Sequence, residues 1–281
     1  MNNSIVKAQC VSLDTLTDFF INLDYEKVDS KSFGTYRSRS FNQKTKKYLQ
    51  LDEIKDALKK LDRSKLQYIY LLGKNSMLHP EFNHILRLCL MVAPVTIYTD
   101  GSCINDKKAR FLKKVEDEGE NELIFKIFIN NYDEKLNDEI SGRGSFRKSM
   151  HAVASLTKHG FNPILAIKCS VDKFKVQKEG FYELGQKFSF ETDELNFTCI
   201  PFGDESSDVL ASDGSKIFEF DCMTSRVLSK SGVYSCPVLV NDYRGWSGAT
   251  VSDFNHKCYL ETEYCMQCQN CGKKIYANNW D

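Results

Sequence analysis

The stretch "YIYLLGKNSMLHPEF", Tyr68 to Phe82, decides how this chain is read. It opens with Tyr68–Leu72, an aromatic and apolar run with the length and composition of a buried strand. Gly73 breaks the run, and Leu78-His79-Pro80 leads into a segment whose apolar residues recur at helical spacing. Strand, glycine turn and helix in that order make a βα unit, and its loop is where α/β enzymes usually bind a ligand. The loop here reads Gly73-Lys74-Asn75-Ser76: one glycine, one cation, one amide and no carboxylate.

The same texture extends to both sides. Short β-rich runs fall at Ser4–Gln9, Gln67–Leu72, Val95–Tyr98, Leu123–Ile129, Pro163–Lys168 and Leu195–Ile200. Amphipathic segments lie between them. In Leu51–Leu61 the residues Leu51, Ile54, Leu58 and Leu61 share one face, and Glu81–Met91 carries Phe82, Ile85, Leu86 and Leu90. Asp106–Val115 and Ser145–His159 behave alike, the second with Ser145 as N-cap and Gly160 as its stop. Six strands alternating with helices imply an α/β fold with a parallel sheet and right-handed crossovers. Six units fall short of the eight of a closed barrel, so a curved, partly open barrel and an open doubly wound sheet both fit. The polar, glycine-containing Asp204–Ser215 reads as a linker, followed by short β-like pieces at Lys216–Phe220, Arg226–Leu228 and Val233–Tyr234.

Composition narrows the partners. The 281 residues carry 38 basic and 38 acidic side chains, so bulk charge gives no argument for nucleic acid or an anionic membrane. The start, Met-Asn-Asn-Ser-Ile-Val-Lys, lacks the blocks of a signal peptide, and no apolar run approaches the roughly 18 residues of a spanning helix. The expectation is a cytoplasmic protein with neither a membrane nor a nucleic-acid partner. In that reducing setting the eleven cysteines need explaining. Cys10, Cys89, Cys103, Cys169, Cys199 and Cys222 are scattered and read as small buried hydrophobes. Cys236, Cys258, Cys265, Cys268 and Cys271 gather near the end, and the two-residue gaps of Cys265-x₂-Cys268-x₂-Cys271 let a turn present successive thiolates to one metal centre. Spacing alone leaves a Cys₄ zinc knuckle and an iron–sulfur loop both open.

Four segments in order resemble the radical S-adenosylmethionine (SAM) superfamily with a C-terminal SPASM or Twitch-type extension. "GKNSMLHPEF" is similar to the family's GGEPLLHP segment after the second strand. "VTIYTDGS" looks like the third strand and its TNG turn, and "NDEISGRGSFRKSMHAVASLTKHGF" like the HD-x-IRG-x-GSF stretch with its helix. Cys236-Pro237, Gly248 and the paired cysteines resemble the start of a SPASM-like extension. The resemblance implies a partial (β/α)₆ TIM-type barrel over residues 1–203 and a small cysteine-rich extension over 216–281.

The departures fall at the chemical positions. The family's C-x₃-C-x₂-C loop follows its first strand. Placed after Ser4–Gln9, that loop would fall on Cys10, Asp14 and Thr17, one thiol where a SAM-binding four-iron cluster needs three. The second glycine and the glutamate of GGE align with Lys74 and Asn75 beside Gly73, which removes attraction for the cofactor's amino group and adds repulsion. The arginine of IRG aligns with Ser141, two residues before Arg143. Gly73, His79, Pro80, Thr99, Gly101, Asp138, Gly142 and Phe146 match scaffold positions, with His79 placed before the helix as a structural residue. His84, His151, His159 and His256 show no acidic partner at a recognisable spacing. The resemblance therefore implies a pseudoenzyme with a degenerate SAM site at Cys10, Gly73, Lys74 and Asn75. It also implies one C-terminal 4Fe-4S cluster held by Cys236, Cys258, Cys265 and Cys268, with Cys271 as substitute and zinc as the alternative metal. Its expected partner is a peptide or protein substrate, or an active radical SAM enzyme. An active oxidoreductase with non-standard ligands and a zinc-stabilised interaction module are the rival expectations.

Overall fold

The computed structural model describes residues 9–23, 48–73, 76–169, 171–188, 197–200, 220–240 and 242–260, together with positions 265, 268, 274 and 276. Its strands are β1 (Gln9–Ser12), β2 (Asp18–Asn22), β3 (Tyr68–Leu72), β4 (Val95–Thr99), β5 (Leu123–Ile129), β6 (Ile164–Lys168), β7 (Phe197–Ile200), β8 (Ser225–Ser229), β9 (Gly232–Tyr234), β10 (Trp246–Thr250), β11 (Asp253–Phe254) and β12 (Lys257–Leu260). The helices are α1 (Leu51–Lys60), α2 (Phe82–Leu90), α3 (Asp106–Asp117), α4 (Glu134–Ser141), α5 (Ser145–Lys158), α6 (Val171–Lys187) and the single turn α7 (Asp221–Thr224). None of the described helices is long and apolar enough to cross a membrane.

Ten strands form one sheet in the spatial order β11-β10-β9-β8-β2-β3-β4-β5-β6-β7. From β2 to β7 every neighbour pairs in parallel, and β8 joins β2 in parallel from the other side. β8 to β11 then fold back antiparallel, while β1 and β12 make a separate two-stranded ribbon. The order is open: no pairing closes β7 onto β11 among the described residues. The period-2 alternation of each strand separates two cores. Phe19, Ile21, Ile69, Leu71, Ile97, Phe125, Ile127, Leu165 and Ile167 face the helices. Phe20, Tyr70, Leu72, Tyr98, Phe128, Ala166, Ile200 and Val227 gather on the other face. The charges of Asp18 on β2 and Asp221 before β8 reach Lys126 on β5, and Tyr276 bonds to both Asp221 and Lys126, so the sheet is curled and this face is concave.

Local chemistry explains the helix starts. Glu53 accepts the Gln50 N–H at 2.8 Å, Asn105 accepts that of Lys108 at 2.9 Å, and Asp133 accepts that of Leu136 at 3.0 Å. His79 is a scaffold residue, as its motif position implies. Its Nδ1 accepts the Glu81 N–H at 3.0 Å, so Nε2 carries the proton donated to the Leu49 carbonyl at 2.8 Å. Gly101 has φ +80, and a Cβ there would lie 2.7 Å from the Ala152 Cβ, so the turn after β4 admits only glycine against α5. Asp138 accepts from the main chain of Gly144, and at 2.9 Å from the Phe146 N–H and the Ser145 hydroxyl, which fixes the glycine-rich turn into α5.

One expectation is corrected. The first strand of the parallel sheet is β2, not Ser4–Gln9; residues 4–8 lie outside those described, and Gln9 opens β1 on the ribbon. β2 is only five residues and is buried on both faces, so it shows no alternation to betray it. After residue 216, β8 extends the parallel sheet by pairing with β2, and β9 to β11 continue it antiparallel. The linker Asp204–Ser215 lies outside the described residues.

Candidate metal centre

α7 ends the approach to β8, and that short turn sets Cys222 beside the start of the strand. Cys236 follows β9, and Cys258 lies on β12, opposite Val11 of β1. These three, with Cys265 and Cys268, line one cavity that is closed by Phe220, Val238, Leu239 and Leu260. Four of the five thiols assigned in the sequence thus have a described position, and all four converge. Cys271 lies outside the described residues. Cys222 is the addition: read alone it belongs to the scattered set, and only α7 brings it to the ring. Among the described residues no three or more His, Cys, Asp or Glu side chains close as for a single metal ion, so the site is a ring of thiols around a cavity.

The thiols differ in their readiness to ionise. Cys222 donates a hydrogen bond to Cys258, which raises its own pKa. The bond from Cys222, another from Ser235 and the charge of Arg226 pull Cys258 down to about 6. Burial pushes Cys236 well up, and the Asp221 carboxylate adds to the effect. Arg226 is fully buried on β8. Its guanidinium donates to the carbonyls of Cys222 (2.8 Å), Ser225 (2.7 Å), Asn255 (3.1 Å) and His256 (2.9 Å), while Nε has no partner among the described residues. Among the described residues this buried cation is held by neutral carbonyls and forms no ion pair with a carboxylate, and its field reaches Cys258, Cys222 and Cys236. A set of thiolates supplies a countercharge. Soft donors, burial and a waiting cation together fit a thiolate-bound metal centre, either a 4Fe-4S cluster or zinc.

Of the positions assigned to the SAM site, Cys10 and Gly73 are among the described residues. Cys10 is exposed on β1, ahead of the sheet's first strand. Asp14 and Thr17 donate their N–H groups to the Met223 and Thr224 carbonyls, also before β2. The triad aligned with the cluster loop therefore sits at the wrong end of the first strand, and the error follows from the misplaced Ser4–Gln9. The sequence that follows β2 contains no cysteine before Cys89. Gly73 ends β3 with φ 141, and Lys74 and Asn75 lie outside the described residues. His159, for which the sequence showed no acidic partner, is 3.1 Å from Asp106 of α3, which Lys158 also meets at 2.6 Å.

Residues 33–171 match the Radical SAM superfamily. Among solved structures, hexahistidine-tagged anSMEcpe with bound AdoMet superposes with a TM-score of 0.50 at 13% identity, over 66% of this chain and 50% of that one. BtrN in complex with AdoMet and 2-DOIA gives 0.47 at 11% identity, over 85% and 80%. HydG, a maturase of the FeFe-hydrogenase, gives 0.47 at 12%, over 67% and 43%. The chain thus spans about half the length of anSMEcpe. No curated protein sequence matches it. With the domain match, the parallel sheet and the motif order in agreement, the chain belongs to the radical SAM superfamily.

Proposed function

We propose that this chain has kept a C-terminal 4Fe-4S site on a radical SAM scaffold and has lost its SAM-cleaving cluster. It then acts as an accessory or substrate-binding partner in peptide or protein modification. The observation that carries the reading is a contrast in thiols. Cys222, Cys236, Cys258, Cys265 and Cys268 ring one cavity, while the chain from Val11 to Leu88 has no cysteine at all. The residues after β2 therefore do not fit a SAM-binding four-iron cluster, which needs three thiolates. A 4Fe-4S cluster bound by the C-terminal ring would supply one-electron storage. Cys222, Cys236, Cys258, Cys265 and Cys268 would hold it, and the Arg226 guanidinium would offset the negative charge of the thiolates.

Anaerobic purification with iron and sulfide counted per chain tests the first half. About four of each are expected, and stoichiometric zinc without sulfide would instead establish the interaction-module reading. Titration with SAM under a strong reductant tests the second half. Release of 5′-deoxyadenosine by the purified chain would overturn the loss of radical chemistry.

A further inference from the structure

The helix side of the sheet carries a cavity that the metal centre does not use. Its volume is about 610 Å³, and it lies between the start of α4, α5 and α6. Small-molecule pockets span about 300–1,000 Å³. Helix periodicity builds its floor. On α5, Phe146, Met150 and Ala154 recur every fourth residue along one row, and Arg147 and His151, one position on, form the rim. On α6, Leu184 faces the same space, and Lys187 and Phe188 follow it at the i+3 and i+4 positions. Phe146, Met150 and Leu184 belong to the core on the helix face, whereas the Tyr132 wall is 40% exposed. Gly180 explains that wall. A Cβ there would lie 2.7 Å from the Tyr132 ring, so a glycine inside α6, unfavourable for the helix, lets the ring lie against its backbone. Tyr132 also meets Phe181 edge to face, with ring centres 5.7 Å apart.

The charges around the cavity do not balance. Both of its carboxylates are already engaged: Asp133 accepts the Leu136 N–H at 3.0 Å, and Glu134 accepts Arg147 Nε at 2.7 Å. Among the described residues Arg147 is engaged only through that nitrogen, and His151 and Lys187 have no hydrogen-bond or ion-pair partner. We propose that the cavity binds a small aromatic carboxylate, with its ring system against Tyr132, Phe188 and Met150 and its carboxylate toward Arg147, His151 and Lys187. The ligand class follows from the lining. The terminal nitrogens of an arginine match the plane of a carboxylate, and Lys187 adds an uncompensated positive charge. Aromatic rings and a methionine sulfur favour an aromatic body over an aliphatic one. The cavity is also held in shape before any ligand arrives. Asn137 accepts the Asn130 N–H at 2.9 Å and donates to the Ser145 hydroxyl at 3.0 Å, which fixes α4 and the start of α5 against the end of β5. None of these residues belongs to the thiol ring, so the site does not depend on which metal the thiols hold.

Two fluorescent probes test the proposal on the full chain: dansylglycine, an aromatic carboxylate, and dansylamide, which has the same ring system without the carboxylate. Dansylglycine should bind saturably at one site per chain, about ten-fold more tightly than dansylamide. Ala154→Trp places an indole in the cavity from an exposed position on α5 and should abolish saturable binding of both probes. Lys187→Glu should weaken dansylglycine about ten-fold and leave dansylamide unchanged. Circular dichroism checks that each variant is folded. Where Ala154→Trp is not, His151→Trp fills the cavity from another exposed position on the same helix. The proposal is overturned by a native chain that binds neither probe saturably, by equal affinities for the two probes, or by binding that survives the tryptophan unchanged.

Discussion

Replacing Lys126 by methionine makes the buried ammonium measurable. Burial pushes its pKa down to about 7, although the Asp221 and Asp18 carboxylates pull it back up. The groups that face it are Tyr98 from β4, Asp18 from β2, Asp221 from α7 and the Tyr276 carbonyl. In the unfolded chain a lysine keeps its proton to about 10.4. Between those values the unfolded state binds about one proton more than the folded state. Stability therefore rises with pH across that window, by up to about 1.4 kcal/mol per pH unit. Below about pH 6 both states are protonated and Lys126 adds no slope. Methionine has a similar length and no charge, so the variant loses this slope and nothing else that titrates. The stability of the native chain minus that of Lys126→Met should climb by about 2–3 kcal/mol between pH 7.5 and 9.5. Lys168, held near 8 by burial, titrates in both chains and cancels in the difference. Urea unfolding under excess reductant reads the quantity directly. Parallel pH profiles for the two chains would show that Lys126 is hydrated, and the reading of a dry inner face would fall with it.

Three other substitutions probe the thiol ring and the scaffold. Arg226→Met should cost roughly 3–5 kcal/mol in urea unfolding, because it strands buried carbonyls on both sides of the β8 strand, and Arg226→Lys should recover only part of that. Cys222→Ala should lower the metal bound per chain, read by elemental analysis; an unchanged content would remove Cys222 from the ring. Hydrogen bonds from the Phe146 and Gly144 main chain hold Asp138 down to about 2. Its folded pKa is depressed, so its contribution is present above about pH 4 and fades as pH falls toward 2. An acid titration followed by circular dichroism should show that limb in the native chain and not in Asp138→Asn.

What the sequence made legible follows the physics of each signal. The βα units from Tyr68 onward announced themselves because buried strands flanked by amphipathic helices leave long, regular patterns. β2 did not, since five residues buried on both faces carry no alternation, and the cluster-loop alignment moved to the wrong end of the sheet with it. The Cys265–Cys268 gap was readable as a local turn, whereas Cys222 reaches the ring only through α7 and has no spacing to read. Arg226 was likewise invisible, since its partners are main-chain carbonyls. One missed signal was present: Lys126 stands alone among six apolar residues in "LIFKIFI", and a strand cannot place such a lysine without a polar partner on its inner face.

The thiol ring and the inner face of the sheet are joined in sequence, and the join has a calculable strength. Cys222 lines the cavity, and its neighbour Asp221 accepts the Tyr276 N–H. With metal bound, Cys268 is fixed and eight residues lead from it to Tyr276; if chelation frees the cysteines, the next point of the described fold is Leu260 at the end of β12, sixteen residues away. Doubling a connection costs about 0.6 kcal/mol of closure entropy. Chelating the metal should therefore raise hydrogen exchange at the Tyr276 amide about three-fold, with the β3–β5 amides unchanged. A much larger increase would mean that the metal shapes the inner face itself, through Asp221 and Cys222, rather than shortening a tether. No increase would mean that the inner face holds Tyr276 independently of the ring, and the two would then be neighbours without coupling.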